Sequence, residues 1–358
     1  MITKVIKVNS ENDNRENYEE AAEILRRGGL VAFPTETVYG LGGDGLSQDA
    51  AKKIYAAKGR PSDNPLIVHI ADIESLHELT DEVPEKAVKL AEKFWPGPLT
   101  MIFKKSNKVP YSTTGGLDTV AVRMPNHPVA LKLIQTSGVM IAAPSANTSG
   151  RPSPTKAQHV ADDLSGKIDM IIDGGAVGIG IESTIVDMTS EVPMILRPGY
   201  ITQEMLQEEI GEVQVDKAIL TKGVQKGLHP KAPGMKYRHY APKGDLTLYK
   251  GNEEDVVTAI NQAVQEKIKS GSKVGVIATE ETKNKYKANI IKCIGSRHDE
   301  ESIARHLYGI LREFDDLGVQ YIFGECFPSS NFGQAIMNRM LKAAGYHVVS
   351  VPGREGSD

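Results

Sequence analysis

Lys58, Arg60 and Asn64 fall within one short stretch, Ala-Lys-Gly-Arg-Pro-Ser-Asp-Asn-Pro at 57–65. A lysine is a compact point charge and an arginine a planar fork of donors, and together they suit phosphate or carboxylate oxygens. Gly59, Pro61 and Pro65 each disfavour a helix interior, which puts Lys58, Arg60 and Asn64 on a shaped loop between a helix and a strand. A solvated connection has the same composition. Further cations stand at Arg123 and Arg197, and Ser, Thr and Asn side chains recur in polar loops at strand ends. No Walker A or protein-kinase sequence is present, and neither Ser145 nor Ser183 lies in a Gly-x-Ser-x-Gly elbow. Cations and neutral donors without a nucleophile–base pair suit a transfer in which phosphate charge is stabilised and the substrate brings the nucleophile.

The elements that must hold these residues alternate between strand and helix. A strand over 30–33 delivers Pro-Thr-Glu-Thr-Val-Tyr-Gly-Leu-Gly at 34–42, read as a loop in which extended Thr35 and Thr37 point the same way. Gly40 to Gly45 reads as a turn whose backbone would suit phosphate, though most glycine-rich turns are only turns. A helix over 48–57, opened by Ser47, leads to the Lys58 stretch, and a strand over 66–70 carries His69 out of it. Strands over 99–103, 119–123, 139–143, 170–173, 183–187 and 194–197 follow, with helices over 84–94 and after Pro128. The pattern predicts an α/β sheet with its site at the strand ends.

Length and composition set the frame. A chain of 358 residues exceeds one ordinary core, so two domains are expected. A formal net charge of -4 argues against a general nucleic-acid coat. Two cysteines, Cys293 and Cys326, are too few for a disulfide framework or a four-ligand zinc site. With no signal-peptide core and no apolar run long enough for a bilayer, the expectation is a cytoplasmic protein without a membrane partner.

The division expected is 1–216, a basic linker at 217–243, and 244–358. Prolines crowd the segment His229 to Pro242, which also holds Tyr237 and Tyr240 and suggests docking on something anionic. Beyond it, strands over 246–249, 273–278, 290–294, 320–324 and 347–351 alternate with helices over 255–269, 300–316 and 334–344. That spacing predicts a small parallel, Rossmann-like domain. No Gly-x-Gly-x-x-Gly follows its first strand, so a dinucleotide site is unsupported.

Several ordered blocks together resemble the threonylcarbamoyl-AMP synthase family. They are Pro-Thr-Glu-Thr-Val-Tyr-Gly-Leu-Gly at 34–42, Lys-Gly-Arg-Pro at 58–61 and Asn-Pro-Leu-Ile-Val-His at 64–69. Pro-Ser-Ala-Asn-Thr-Ser-Gly at 144–150, Glu-Ser-Thr-Ile-Val-Asp at 182–187 and Arg-Pro-Gly at 197–199 continue the series. The segment 232–242 resembles the linker of the long, two-domain form. The resemblance implies a YrdC-like open, twisted mixed sheet followed by a smaller Rossmann-like domain of unknown role.

It also implies an activity: L-threonine, bicarbonate and ATP, the last with Mg2+, give L-threonylcarbamoyl-AMP and pyrophosphate. Downstream tRNA threonylcarbamoyl-transfer enzymes would use the product, and direct contact with tRNA or double-stranded RNA stays open. Thr35, Thr37, His69, Arg123 and Ser183 would line the threonine pocket. Lys58, Arg60, Asn64, Thr119, Ser145, Asn147, Ser153 and Arg197 would hold the nucleotide, with Lys58 and Arg60 catalytic and Tyr240 closing over it. Other readings suit the same residues: a core imidazole for His69, turns and caps for the serines and Asn147, linker packing for the tyrosines. An RNA-binding module without catalysis, or another carbamoyl-adenylate-forming enzyme, is the alternative function.

Overall fold

The first eleven strands pair into one mixed sheet. In chain order they are β1 (Lys4–Lys7), β2 (Val31–Pro34), β3 (Tyr39–Asp44), β4 (Ile67–His69), β5 (Leu99–Lys104), β6 (Thr119–Arg123), β7 (Ile141–Ala142), β8 (Met170–Asp173), β9 (Thr184–Asp187), β10 (Met194–Arg197) and β11 (Gln214–Val215). Their spatial order is β1-β8-β2-β3-β7-β4-β6-β5-β9-β10-β11. The structure is a computed structural model that describes residues 1–8, 15–220, 232, 239–327 and 331–353. Most of the expected linker, 221–231 and 233–238, lies outside the described residues.

Two compact units divide the chain, one of Met1–Ser149 with Ser153–Tyr237 and one of Gly150–Pro152 with Arg238–Asp358. In the first, alternation along the strands sends side chains to opposite faces. Val120, Val122 and Met124 of the β6 segment join Leu66, Val68, Met101, Phe103 and Val186 in the main core. Thr119, Ala121 and Arg123 point the other way, toward a small apolar cluster of Ile67, Ile102, Ala121, Ile185, Leu196 and Ala232. On the far side of β2, helices Arg15–Arg26 and Pro128–Ser137 close a separate core around Phe33, Leu25 and Leu133.

Tyr39–Asp44 is a strand, which corrects the reading of Gly40 to Gly45 as a phosphate turn. A Cβ on Gly42 would come 2.7 Å from Ile141 Cγ2 and 2.8 Å from Phe33 Cε1. Glycine is required there for close approach inside the sheet. Thr35 donates its N–H and its hydroxyl to the Val38 carbonyl in the turn that joins β2 to β3, and the Thr35 and Thr37 hydroxyls point to each other.

The second unit carries β12 (Asp245–Lys250), β13 (Val274–Ala278), β14 (Ile290–Cys293), β15 (Tyr321–Glu325) and β16 (Val348–Ser350). All pair in parallel, in the order β14-β13-β15-β12-β16. Helices Glu253–Lys269, Glu300–Asp316 and Phe332–Ala343 supply the crossovers. The fourth strand lies between the first and second, a departure from the 3-2-1-4-5 order of a dinucleotide-binding sheet. Among the described residues no helix is long and apolar enough to cross a membrane.

Candidate active site

Lys58 is the last residue of helix Gln48–Lys58, so it leaves from a helix end and not from the loop expected. Ser47 caps the start by accepting the Ala50 N–H, and Gly59, at φ 60°, turns the chain out through the left-handed region. The ammonium is buried and donates to the carbonyls of Ser145 and Asn147, each at 2.5 Å. Ser149 returns a backbone N–H to the Lys58 carbonyl at 2.9 Å. The helix end and the loop 145–149 are thereby fixed to each other. Within that loop Ser145 donates to Asn147 Oδ1 at 2.5 Å, and Asn147 Nδ2 donates to the Thr148 carbonyl at 2.9 Å.

Arg60 closes its own loop. Its Nε donates to the Asn64 carbonyl at 3.2 Å and its Nη2 to the Pro65 carbonyl at 3.0 Å. Asn64 is 2% exposed, and its Oδ1 has no hydrogen-bond partner among the described residues. A buried acceptor without a partner is costly, and a ligand N–H would satisfy it. Thr119 begins β6; Ile67 pairs with Ala121, which sets Thr119 level with Pro65 at the same end of the sheet.

Toward the other end of β4 and β6, His69 pairs with Arg123. Burial, and then the Arg123 charge, push the His69 imidazole down to about 3, against the carbonyls of Ile141 and Ile67 that favour its charged form. His69 is therefore neutral. Its Nδ1 lies 3.2 Å from the Ile67 carbonyl and 3.3 Å from the Ile141 carbonyl. Carbonyls only accept, so Nδ1 carries the proton and Nε2 keeps its lone pair.

Arg123 is 4% exposed. It donates Nη1 to Thr37 Oγ1 at 2.9 Å and Nε to the Gly97 carbonyl at 3.2 Å, and Nη2 stands 2.7 Å from Glu36 Oε2. Thr35 and Thr37 hydroxyls meet at 2.9 Å.

Ser183 and Arg197, expected in separate pockets, are joined. Arg197 donates Nε to the Ser183 carbonyl at 2.9 Å and Nη2 to its hydroxyl at 3.1 Å, while Thr100 Oγ1 lies 2.7 Å from the same hydroxyl. Ser153 donates to Glu182 Oε1 at 2.5 Å. Tyr240 belongs to the second unit, where it adopts φ 65° and stacks on Tyr308 with ring centres 5.2 Å apart.

Sequence reasoning missed Glu36, Glu182 and Thr100. Glu36 and Glu182 sit inside quoted blocks, and a lone acid among hydroxyls near several cations was the available signal; Thr100 gave none. A cavity of about 240 Å³, lined by Glu82, Phe103, Met188 and Glu191 among others, includes none of the expected site residues.

What gathers on the first unit is a set of buried cations, hydroxyls and one neutral imidazole, with Ala232 of the linker packed in the cluster that holds Ala121 of β6. Such a set binds and neutralises anionic groups.

Residues 23–199 match the family described as Telomere recombination, and residues 201–345 match threonylcarbamoyl-AMP synthase, C-terminal domain. A threonylcarbamoyl-AMP synthase of Bacillus subtilis (strain 168) is 50% identical over 337 residues, 94% of this chain and 95% of its own length. One from Pyrococcus abyssi (strain GE5 / Orsay) is 49% identical over 342 residues, 94% of this chain and 98% of its own. The solved structure of P. abyssi Sua5 complexed with L-threonine superposes with a TM-score of 0.92 at 48% identity, covering 98% of this chain and all of that one. The mixed sheet, the second parallel sheet and these relatives agree: the chain belongs to the threonylcarbamoyl-AMP synthase family and is an enzyme of that type.

Proposed function

We propose that the chain joins L-threonine, bicarbonate and ATP into L-threonylcarbamoyl-AMP with release of pyrophosphate, as the first step of threonylcarbamoyl transfer to tRNA in the cytoplasm. The observation that supports the site assignment is the buried set in which Arg123 donates to Thr37, Thr37 meets Thr35, and His69 pairs with Arg123 across β4 and β6, with Lys58 and Arg197 buried in the same unit. Threonine's carboxylate goes to Arg123, whose guanidinium has more N–H donors than partners. Its hydroxyl meets the ring of hydroxyls at Thr35, Thr37 and Ser183, with the free lone pair of His69 as acceptor. The nucleotide is held by Lys58, Arg60, Asn64, Thr119, Ser145, Asn147, Ser153 and Arg197, the last of which is hydrogen-bonded to Ser183 of the threonine pocket. Lys58 and Arg60 stabilise charge on the phosphates while the carbamate oxygen attacks the α-phosphorus.

Among the described residues no three His, Cys, Asp or Glu side chains gather into a metal cage. Magnesium would enter with the nucleotide and would offset charge on its phosphates beside Lys58 and Arg60. The experiment is pyrophosphate release by the full chain with each substrate withheld in turn. The proposal expects release to require threonine, bicarbonate and ATP together; release that ignores threonine or bicarbonate overturns it.

A further inference from the structure

The turn between β2 and β3 is pinned by backbone contacts on both sides of Glu36. Ile179 donates its N–H to the Glu36 carbonyl at 2.8 Å, Gly180 donates to the Thr37 carbonyl at 3.1 Å, and Thr35 Oγ1 accepts the N–H groups of Thr37 and Val38. The side chain of Glu36 is thereby delivered to Arg123, with Oε2 2.7 Å from Nη2. The pair is deeply set, at 4% exposure for the arginine and 13% for the glutamate. Apart from that ion pair, neither oxygen of Glu36 has a hydrogen-bond partner among the described residues, although both are buried. Every other contact of Arg123 is to a neutral oxygen.

A guanidinium beside a carboxylate is the electrostatic complement of an α-amino acid zwitterion. When a bound carboxylate lies on Arg123, the ammonium one carbon away falls toward Glu36, whose Oε2 faces Arg123 and whose Oε1 has no donor among the described residues. A thermodynamic need points the same way. An ammonium has no lone pair, so the amine must lose a proton before it forms a bond to carbon.

We propose that Glu36 holds the ammonium of the bound amino acid and acts as the base that neutralises it. The inference rests on the threonine pocket assigned above. A proton passes from the ammonium to Glu36. The neutral nitrogen then attacks the carbon of bicarbonate: the N–C bond forms, the C–OH bond breaks, and the hydroxyl leaves as water with a second proton from nitrogen. The carbamate remains, and Glu36 returns its proton to solvent. The other titratable group in the pocket, His69, is kept neutral by burial and carries no charge with which to hold an ammonium. His127, on the Glu36 side, has its titration pushed down by burial, against the raising effect of Glu36, and its Nδ1 already accepts the Val129 N–H. Arg123, His127 and, behind Arg123, His69 are the charged and titratable groups that face Glu36, and neither histidine gains charge above neutral pH.

The test compares wild type, Glu36→Gln and Glu36→Asp in threonine-dependent pyrophosphate release from pH 6.5 to 9.5. At pH 7, Glu36→Gln is expected to lower kcat/KM for threonine on the order of a hundredfold or more. The deficit should shrink as pH nears the amine's own pKa, where threonine arrives neutral, and Glu36→Asp should recover part of the rate. A deficit that is constant with pH, or wild-type kcat/KM in Glu36→Gln at pH 7, overturns the proposal. Should Glu36→Gln not fold, competition on wild type decides: 3-hydroxybutanoate, which lacks the amine, should bind at least about tenfold more weakly than threonine, and equal binding overturns the proposal. Wild type that releases no pyrophosphate with threonine sinks the reading of the reaction beneath it; wild type that does, beside an unimpaired Glu36→Gln, sinks Glu36 alone.

Discussion

His69 and Arg123 are direct partners across the parallel pair of β4 and β6, so a permanent cation faces an imidazole inside the protein. The folded state therefore resists protonating His69, whose titration falls to about 3 against 6.5 in the unfolded chain. Below pH 6.5 the unfolded chain binds a proton that the folded one refuses, so stability is full above that pH and declines as pH falls toward 3. The slope for one such group is at most about 1.4 kcal/mol per pH unit. Urea melts of wild type and His69→Asn should differ in that window, with the variant's acid slope the flatter. Imidazole NMR should find His69 neutral at pH 5; a midpoint near 6.5 would refute this.

Arg60→Ala removes a cation from the loop proposed to hold the nucleotide. Turnover should fall on the order of a hundredfold if the guanidinium meets charge that grows in the transition state. The Asn64 and Pro65 carbonyls also lose a donor, at a cost of about 1–3 kcal/mol in stability. Steady-state pyrophosphate release and a thermal melt separate the effects, and wild-type turnover would remove Arg60 from the chemistry.

Ala232 is fully buried against Ile67, Ile102, Ala121, Ile185 and Leu196. A carboxylate cannot be left unpaired there without a cost of several kcal/mol, so Ala232→Glu should push this piece of the linker off the sheet face. Pyrophosphate release should drop at least about tenfold, the more conservative end of what a mispositioned site loses. Circular dichroism should stay unchanged, because the main core lies on the other face. Full activity would reduce the linker to a tether.

Gly42→Ala should cost about 1–3 kcal/mol in a urea melt, since its Cβ meets Ile141 and Phe33 inside the sheet. Nucleotide affinity, measured calorimetrically at a temperature where the variant is folded, should not change. A selective loss of nucleotide affinity would restore the phosphate-turn reading.

The sequence made some of this architecture legible and hid the rest for definable reasons. Between Thr119 and Met124 the large apolar residues Val120, Val122 and Met124 recur at every second position, and that period separates the core face of β6 from the face of Thr119, Ala121 and Arg123. Gly59 and the prolines mark the end of the helix to within one residue of Lys58. Tyr39–Asp44 was hidden because its glycines carry the signature of a turn while serving sheet packing. The pairing of Arg123 with Glu36, and of Arg197 with Ser183, is set by strand order and not by local spacing. Neither could be read from a linear pattern. Tyr237 lies outside the described residues, so the linker's aromatic side rests on Tyr240 alone.

The separation along the chain between partners in the site has a bearing on how the enzyme comes into being. Lys58 meets the Ser145 carbonyl across 87 residues, Arg123 meets Thr37 across 86, and Thr100 meets Ser183 across 83. Contacts of such high order carry the entropy cost of closing the intervening loops before they can form. A nascent chain that stops before Arg197 can own every motif upstream and still have no assembled pocket. Enzymatic competence is in this sense a delayed property, gained in a single act with the completion of the sheet.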